Sequence, residues 1–540
     1  MTAPQPCAPD VDVVIVGAGL SGIGAAVRLQ GAHPGRSYTI LEARDDLGGT
    51  WDLFRYPGVR SDSDMHTLGY SFRPWRDSRT LADGASILTY IRETAQEYGV
   101  DRRIEYGSRV VAADFDTRTS LWTLQVGDSG VDAGAGAGGA MRQVTCRFVY
   151  LCAGYYDYED PHAPELAGLD DFAGTVVHPQ FWPSDLDVTG KRVVVIGSGA
   201  TAVTLVPALL KGRPGSGGSH GGAHDGSGGG AAAHVTMLQR TPTWIGSLPS
   251  VDLLAERLQT ALPQPVAHRL VRAKNIAMST ALYEIAQRAP RLTGEALKRG
   301  AAEALGDRRI VDEHFTPPYD PWDQRLCAVP DGDLFHAIRD GSAQVVTGHI
   351  DTFVPEGIRL TSGEVLKADI IVTATGLRMQ AIGGVTLSVD GRPVELSAQF
   401  VWNGAMVTGL PNAAFCMGYT NASWTLRADL SHRFVCRVLA WMDEHGYAAV
   451  EPRPRRPLRP RPLLDLDAGY VRRSIDSFPR QGQRTPWRVR QNYVLDSLTT
   501  WRTSRSAALS ATLAGIPAHP TSGPAASQPS APEHSANGCR

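Results

Sequence analysis

The chain has 540 residues, enough for two to four domains with sizeable cores. Its 57 glycines and 36 prolines make up about a sixth of the sequence, above the usual share, while a 42% hydrophobic content excludes disorder over the whole length. The 53 basic and 55 acidic residues leave a net charge of −2, which gives no electrostatic footprint for nucleic acid.

Seven cysteines, at positions 7, 146, 152, 327, 416, 436 and 539, form no C-x2-C or C-x4-C pair. That argues against a disulfide scaffold, a zinc ribbon and a redox disulfide, and fits buried thiols in a reducing cytoplasm. The N-terminus is proline-rich and has no basic stretch before an apolar one, so no signal peptide is expected. The longest apolar run, 193–210, contains Gly197, Ser198, Gly199 and Pro207. It reads as strand, tight turn and buried helix, and no integral membrane segment is expected.

In chain order, the first element is a Val-rich strand at 13–16 followed by Gly17-x-Gly19-x-x-Gly22. Gly17 permits the tight turn, Gly19 lets backbone approach a pyrophosphate, and Gly22 allows close helix–strand packing. A second strand, 38–42, ends in Glu42, whose carboxylate suits ribose hydroxyls, and Gly48-Gly49-Thr50-Trp51 makes another close turn. This site is read as FAD-binding. The pattern recurs about 180 residues later as Gly197-Ser198-Gly199-x-Thr201-Ala202 after the strand 193–196. Its second strand, from His234, ends in Arg240-Thr241 with no acidic residue, so Arg240 can pair with a 2′-phosphate and the site is read as NADPH-binding.

The tract 212–233, with ten glycines, is a loop insertion between that domain's first helix and second strand. The tract 127–140, with six glycines, and the tail 503–540 are also expected to be unstructured. His220, His224 and His234 lie in or beside the longer tract without a cysteine or carboxylate cluster, so no metal site is assigned. Residues 253–305 read as helices, 452–462 as a solvated Pro/Arg loop, and further strands are expected at 148–152, 344–346 and 369–373. The expected fold class is α/β, with two Rossmann-like dinucleotide-binding domains and a helical insertion in the NADP domain.

Between the two glycine motifs lies Phe172-x-Gly174-x-x-x-His178-x-x-x-Trp182-Pro183. It resembles the fingerprint of type I Baeyer–Villiger monooxygenases. Gly48-Gly49-Thr50-Trp51 with Tyr56-Pro57-Gly58-x-x-x-Asp62 resembles that family's flavin-side motif. The runs 60–65, 321–327 and 418–426 resemble an actinobacterial subgroup that includes an enzyme activating the thioamide prodrug ethionamide. The resemblance spans about residues 10–501.

The resemblance implies an FAD domain formed by 10–170 and 377–502 and a linker at 171–189. It further implies an NADP domain formed by 190–250 and 326–376, and a helical insertion at 251–325. It places Phe172, Gly174, His178, Trp182 and Pro183 on the linker, coupling nicotinamide binding to domain rotation rather than transferring protons. It matches the catalytic arginine to Arg325 and its carboxylate partner to Asp62. The implied reaction takes NADPH and O2, forms a C4a-peroxyflavin and converts a ketone to an ester or lactone, with side S-oxidation of a thioether or thioamide. An arginine suits it because a peroxide anion needs a fixed cation and arginine keeps its charge. Gln324 stands where many members carry lysine, which puts more weight on Arg240. N- or S-oxygenation as the main activity is the alternative enzyme reading, and a nucleotide-binding module without catalysis is the non-enzyme one.

Overall fold

In the computed structural model the described residues are 8–128, 141–212, 230–464, 466–503 and 508–513. The first strand, Val11–Val16, pairs in parallel with Tyr38–Leu41 on one side and Arg142–Leu151 on the other. It sits inside a nine-stranded mixed sheet whose antiparallel part, Ser108–Asp116 and Leu121–Asp128, continues from Arg142–Leu151. Val13 and Ile15 enter one core cluster and Val14 and Val16 another, so this β-branched run is buried on both faces. Helix Leu20–Ala32 covers one face and packs against the long helix Trp424–His445.

The second sheet has five parallel strands in the order Ala343–Thr347, His234–Gln239, Arg192–Ile196, Ile370–Thr373, Thr175–Val177. Its central strand repeats the two-sided pattern, with Val193 and Val195 on one face and Val194 and Ile196 on the other. Helices Leu253–Ala261, Gln264–Arg288 and Pro290–Leu305 fill the stretch read as helical. Among the described residues no helix is long and apolar enough to cross a membrane.

Several details differ from the sequence expectations. The tail from 503 is not unstructured throughout, because Leu509–Leu513 pairs antiparallel with Tyr447–Pro452. Its Leu-Ser-Ala-Thr-Leu alternation lets Leu509 enter a core cluster, which offsets the cost of ordering five residues. Gly127 and Asp128 still belong to a strand, and Ala232 is buried and bonded to Leu209. Residues 129–140 and 213–229, with His220 and His224, lie outside the described residues, as do 514–540. Within the segment expected as the linker, Thr175–Val177 forms the edge strand of the second sheet.

Candidate active site

Both glycine motifs open onto one cavity of about 1380 Å³. That exceeds the roughly 300–1,000 Å³ of a single small-molecule site. The expected residues Gly17, Gly19, Glu42, Gly49, Thr50, Trp51, Asp62, Gly197, Ser198, Gly199, Thr201, Arg240, Thr241 and Arg325 all line it.

Gly17 has φ +100°, and a Cβ on it would lie 2.9 Å from the Cys152 carbonyl oxygen. Gly19 begins helix Leu20–Ala32 and approaches Gly49, whose φ is +57°. Gly22 does not line the cavity. A Cβ there would fall 1.8 Å from the Gly17 carbonyl oxygen, so this glycine closes the turn from behind, in the packing role its place in the motif implies, and serves the cofactor site through that turn rather than by lining it. Glu42 is buried and accepts N–H bonds from Ala18 (2.6 Å) and Arg44 (2.9 Å). Burial pushes its carboxyl up and these two bonds pull it down. Each oxygen retains acceptor capacity for a ribose hydroxyl.

Four flanking residues, Arg44, Asp52, Arg55 and Tyr158, belong to no sequence motif. Arg44 Nη2 and Arg55 Nη2 pair with the buried Asp52, at 2.7 and 2.8 Å, and the Tyr158 hydroxyl lies 3.0 Å from Thr50 Oγ1. An Arg–Asp-rich run at 44–55 was the signal available for the first of these.

On the second motif, Gly197 has φ +129° and a Cβ would meet the Ala374 carbonyl oxygen at 2.3 Å. A Cβ on Gly199, at the start of helix Ala200–Lys211, would meet no protein atom within 4 Å. Ser198 Oγ is 2.8 Å from Thr243 Oγ1. Arg240 follows the strand His234–Gln239, is exposed, and forms no ion pair among the described residues. The two halves of the cavity thus fit two dinucleotides: bare glycine backbone at two helix starts, an acid at one second strand and a free cation at the other.

Arg325 and Asp62 meet where these halves join. Arg325 Nε and Nη2 donate to the two Asp62 oxygens at 2.7 Å each, a bidentate pair with side chains 35% and 22% exposed. The Asp62 charge holds the guanidinium's pKa well above its ordinary value, and Tyr155, Tyr156 and Tyr470 surround it. Cys327 is buried beside the pair and burial pushes its thiol up to about 12, so it stays protonated. Asp62 lies on a segment whose alternate residues all reach across the molecule. Arg60 pairs with Asp333 (2.7 Å), and Asp64 accepts from Asn275 Nδ2 (2.9 Å).

The fingerprint residues do not line this cavity. His178 Nδ1 accepts from the Gln180 N–H at 3.2 Å, and burial lowers its pKa. Phe172 is buried in the second sheet's core, and a Cβ on Gly174 would meet the Asp369 carbonyl oxygen at 2.4 Å. Trp182 is half-buried against the other core cluster of that sheet, and Pro183 is exposed.

Comparison with known proteins gives the context. An NAD(P)-binding Rossmann-like domain model matches residues 15–82. The FAD-containing monooxygenase EthA of Mycolicibacterium smegmatis is 50% identical over 486 residues, covering 90% of this chain and 93% of that protein. The chain belongs to the FAD-containing monooxygenases. This FAD-containing monooxygenase is also 48% identical to the putative FAD-containing monooxygenase MymA of Mycobacterium tuberculosis, over 90% of this chain and 94% of that one. Its fold matches an oxidized steroid monooxygenase bound to NADP with a TM-score of 0.68 at 21% identity, covering 93% and 99% of the two chains.

Proposed function

We propose that this flavoprotein monooxygenase is an NADPH-consuming Baeyer–Villiger enzyme. It inserts one oxygen atom of O2 beside a ketone carbonyl to give an ester or lactone, with S-oxygenation of thioethers or thioamides as a side activity. The observation that carries the reading is the bidentate Arg325–Asp62 pair at the junction of the two dinucleotide halves.

When bound, FAD supplies the two-electron and oxygen-activating chemistry. Gly17, Gly19, Gly49 and Glu42 would hold it, and Gly197, Gly199, Ser198, Thr201 and Thr241 would hold the nicotinamide dinucleotide, with Arg240 on its 2′-phosphate. Asp62 fixes the position and direction of the Arg325 charge. That charge cannot be lost at working pH, so it stabilises negative charge developing beside it without proton exchange. Trp424 and Tyr470 narrow the surrounding space, and Tyr155 packs on Trp424 with ring centroids 5.0 Å apart. Their apolar faces exclude water and strengthen the field of the pair. The protonated Cys327 takes no part as a nucleophile.

The test is product analysis with purified, FAD-loaded protein over a panel of cyclic, linear and aromatic ketones and a thioether. Ester or lactone formed with NADPH and only weakly with NADH supports the reading. Sulfoxide or N-oxide without ester from any ketone replaces it with an N- or S-oxygenase.

A further inference from the structure

The helix Gln264–Arg288 is built inside out. Its inward residues include His268, Arg272 and Asn275, all buried. Its outward residues Val266, Leu270, Met278, Leu282 and Ile285 are each 44–55% exposed. Their spacing of three, four or eight puts them on one stripe some five turns long. This register is fixed by polar bonds rather than left by chance. Arg272 Nη1 donates to the carbonyl oxygens of His66 (2.9 Å) and Gly69 (2.8 Å), and Asn275 Nδ2 donates to Asp64. Ala267, Val271 and Ala286 fill the same inward face, and turning the stripe inward would break those bonds and expose these residues.

The apolar surface continues on both sides. Leu253 and Leu254 on the preceding helix are 65% and 51% exposed, and Leu292 on the following one is 74% exposed. At the C-terminal end of the chain, helix Tyr493–Thr503 exposes Val494, Leu498 and Trp501, the tryptophan by 69%. Asn492, just before that helix, bonds Glu284 on the inside-out helix at 3.1 Å. An apolar surface of this extent marks an interaction site.

The charges around it select the partner. Between 253 and 292 the exposed cations are Arg257, Arg269, Arg288 and Arg291, against Glu256 and the partly buried Glu284. Arg257, Arg269 and Arg291 form no ion pair among the described residues, while Arg288 pairs with Glu284. A second copy would bring like charge against like. An anionic surface with an apolar interior satisfies both the leucine stripe and the arginine rim, and an exposed tryptophan suits the boundary between them. We propose that the outward face of helix Gln264–Arg288, with its flanking leucines, docks on an anionic lipid bilayer. The helix lies in the headgroup region, and the monooxygenase is held where apolar substrates accumulate.

The test is flotation of the full-length FAD-loaded protein with vesicles of phosphatidylcholine alone or mixed with phosphatidylglycerol. Wild type binds the mixed vesicles, and at least about tenfold less to phosphatidylcholine alone or in high salt. The double substitution Leu270→Glu with Leu282→Glu alters only exposed positions. It keeps its flavin content and melting temperature but loses binding by at least about tenfold. Arg269→Gln with Arg291→Gln removes the preference for phosphatidylglycerol. Wild type that stays unbound with both vesicles overturns the proposal, and so does a glutamate variant that binds as well as wild type. A concentration-dependent dimer that the glutamate variant dissociates, without vesicle binding, assigns the face to a second copy and also overturns it.

Discussion

Asp62→Asn tests the proposed chemistry most directly, because it changes charge and hydrogen-bond polarity at constant shape. In the native pair both carboxylate oxygens accept from one guanidinium at 2.7 Å. Asparagine keeps one acceptor and turns an amide N–H₂ toward an arginine N–H, so one contact becomes repulsive. At an effective dielectric near 20, charges about 4 Å apart interact by roughly 4 kcal/mol. Side chains exposed by 35% and 22% are partly screened, which reduces the expected loss of stability to about 1–2 kcal/mol. The catalytic loss should be larger. Removing one preorganised donor for a developing anion costs on the order of 10²–10³ in turnover.

Arg325→Ala should reach that range, and Arg325→Lys should recover only part of it, since lysine keeps the charge and loses the fork. Three quantities are measured together: FAD content, NADPH oxidised, and ester formed against hydrogen peroxide released. FAD binding and NADPH oxidation should persist while electrons leave as peroxide. If Arg325→Ala and Asp62→Asn both make ester within about threefold of wild type, with unchanged peroxide yield, the pair does not stabilise the reacting anion.

Arg240→Ala should raise the KM for NADPH by about ten- to a hundredfold while leaving that for NADH unchanged, as expected for one charge-assisted phosphate contact. Steady-state kinetics with both nucleotides checks this. Gly22→Ala places a methyl 1.8 Å from a carbonyl oxygen and should give protein without bound FAD, whereas Gly199→Ala meets no protein atom and should melt normally but bind NADPH less tightly. Flavin absorbance and melting curves separate the two. Acid should destabilise the fold through His432, which burial lowers to about 3 while its ring accepts or donates at the Tyr150 hydroxyl, 2.8 Å away. The folded state keeps this ring neutral and the unfolded state protonates it near pH 6.5. Stability is therefore full above about 6.5 and falls as pH drops toward 3, by roughly 2 kcal/mol at about pH 5. A His432→Asn variant should show a flatter loss of melting temperature between neutral pH and about pH 5, and an unchanged slope would assign the effect to other groups.

The glycine turns and the second-strand termini were legible in the sequence because each is a local requirement. A positive φ at Gly17 and at Gly197, and a missing Cβ at a helix start, must be met by residues a few positions apart. Arg325 and Asp62 are 263 positions apart, and neither residue type nor spacing brings them together. Only their resemblance to family motifs did. Arg60, Asp333, Asn275 and Arg272 were missed for the same reason, since pairings between distant segments leave no period in the chain. The strand Leu509–Leu513 was different. Its alternation was visible, but composition averaged over an Ala/Ser/Pro-rich tail concealed five informative residues.

The placement of Asp62 joins chemistry to architecture. Arg60, Asp62 and Asp64 follow the first glycine motif in the chain, and each bonds a residue that follows the second: Asp333, Arg325 and Asn275. The proposed catalytic pair therefore forms only when the two halves stand in this relation. Immediately before it, Phe54 and Tyr56 are buried in the core cluster that also receives Trp182 and Leu186 of the linker. The linker thus shares a core with the segment that carries Asp62 without entering the cavity. A shift of Trp182 would be transmitted by close-packed side chains to residues 53–59, and from there to a carboxylate whose two 2.7 Å bonds tolerate little displacement. On the proposed function, that route would let Trp182 act on chemistry it does not contact, and Trp182→Ala would then lower ester yield and raise hydrogen peroxide release while FAD content stays unchanged.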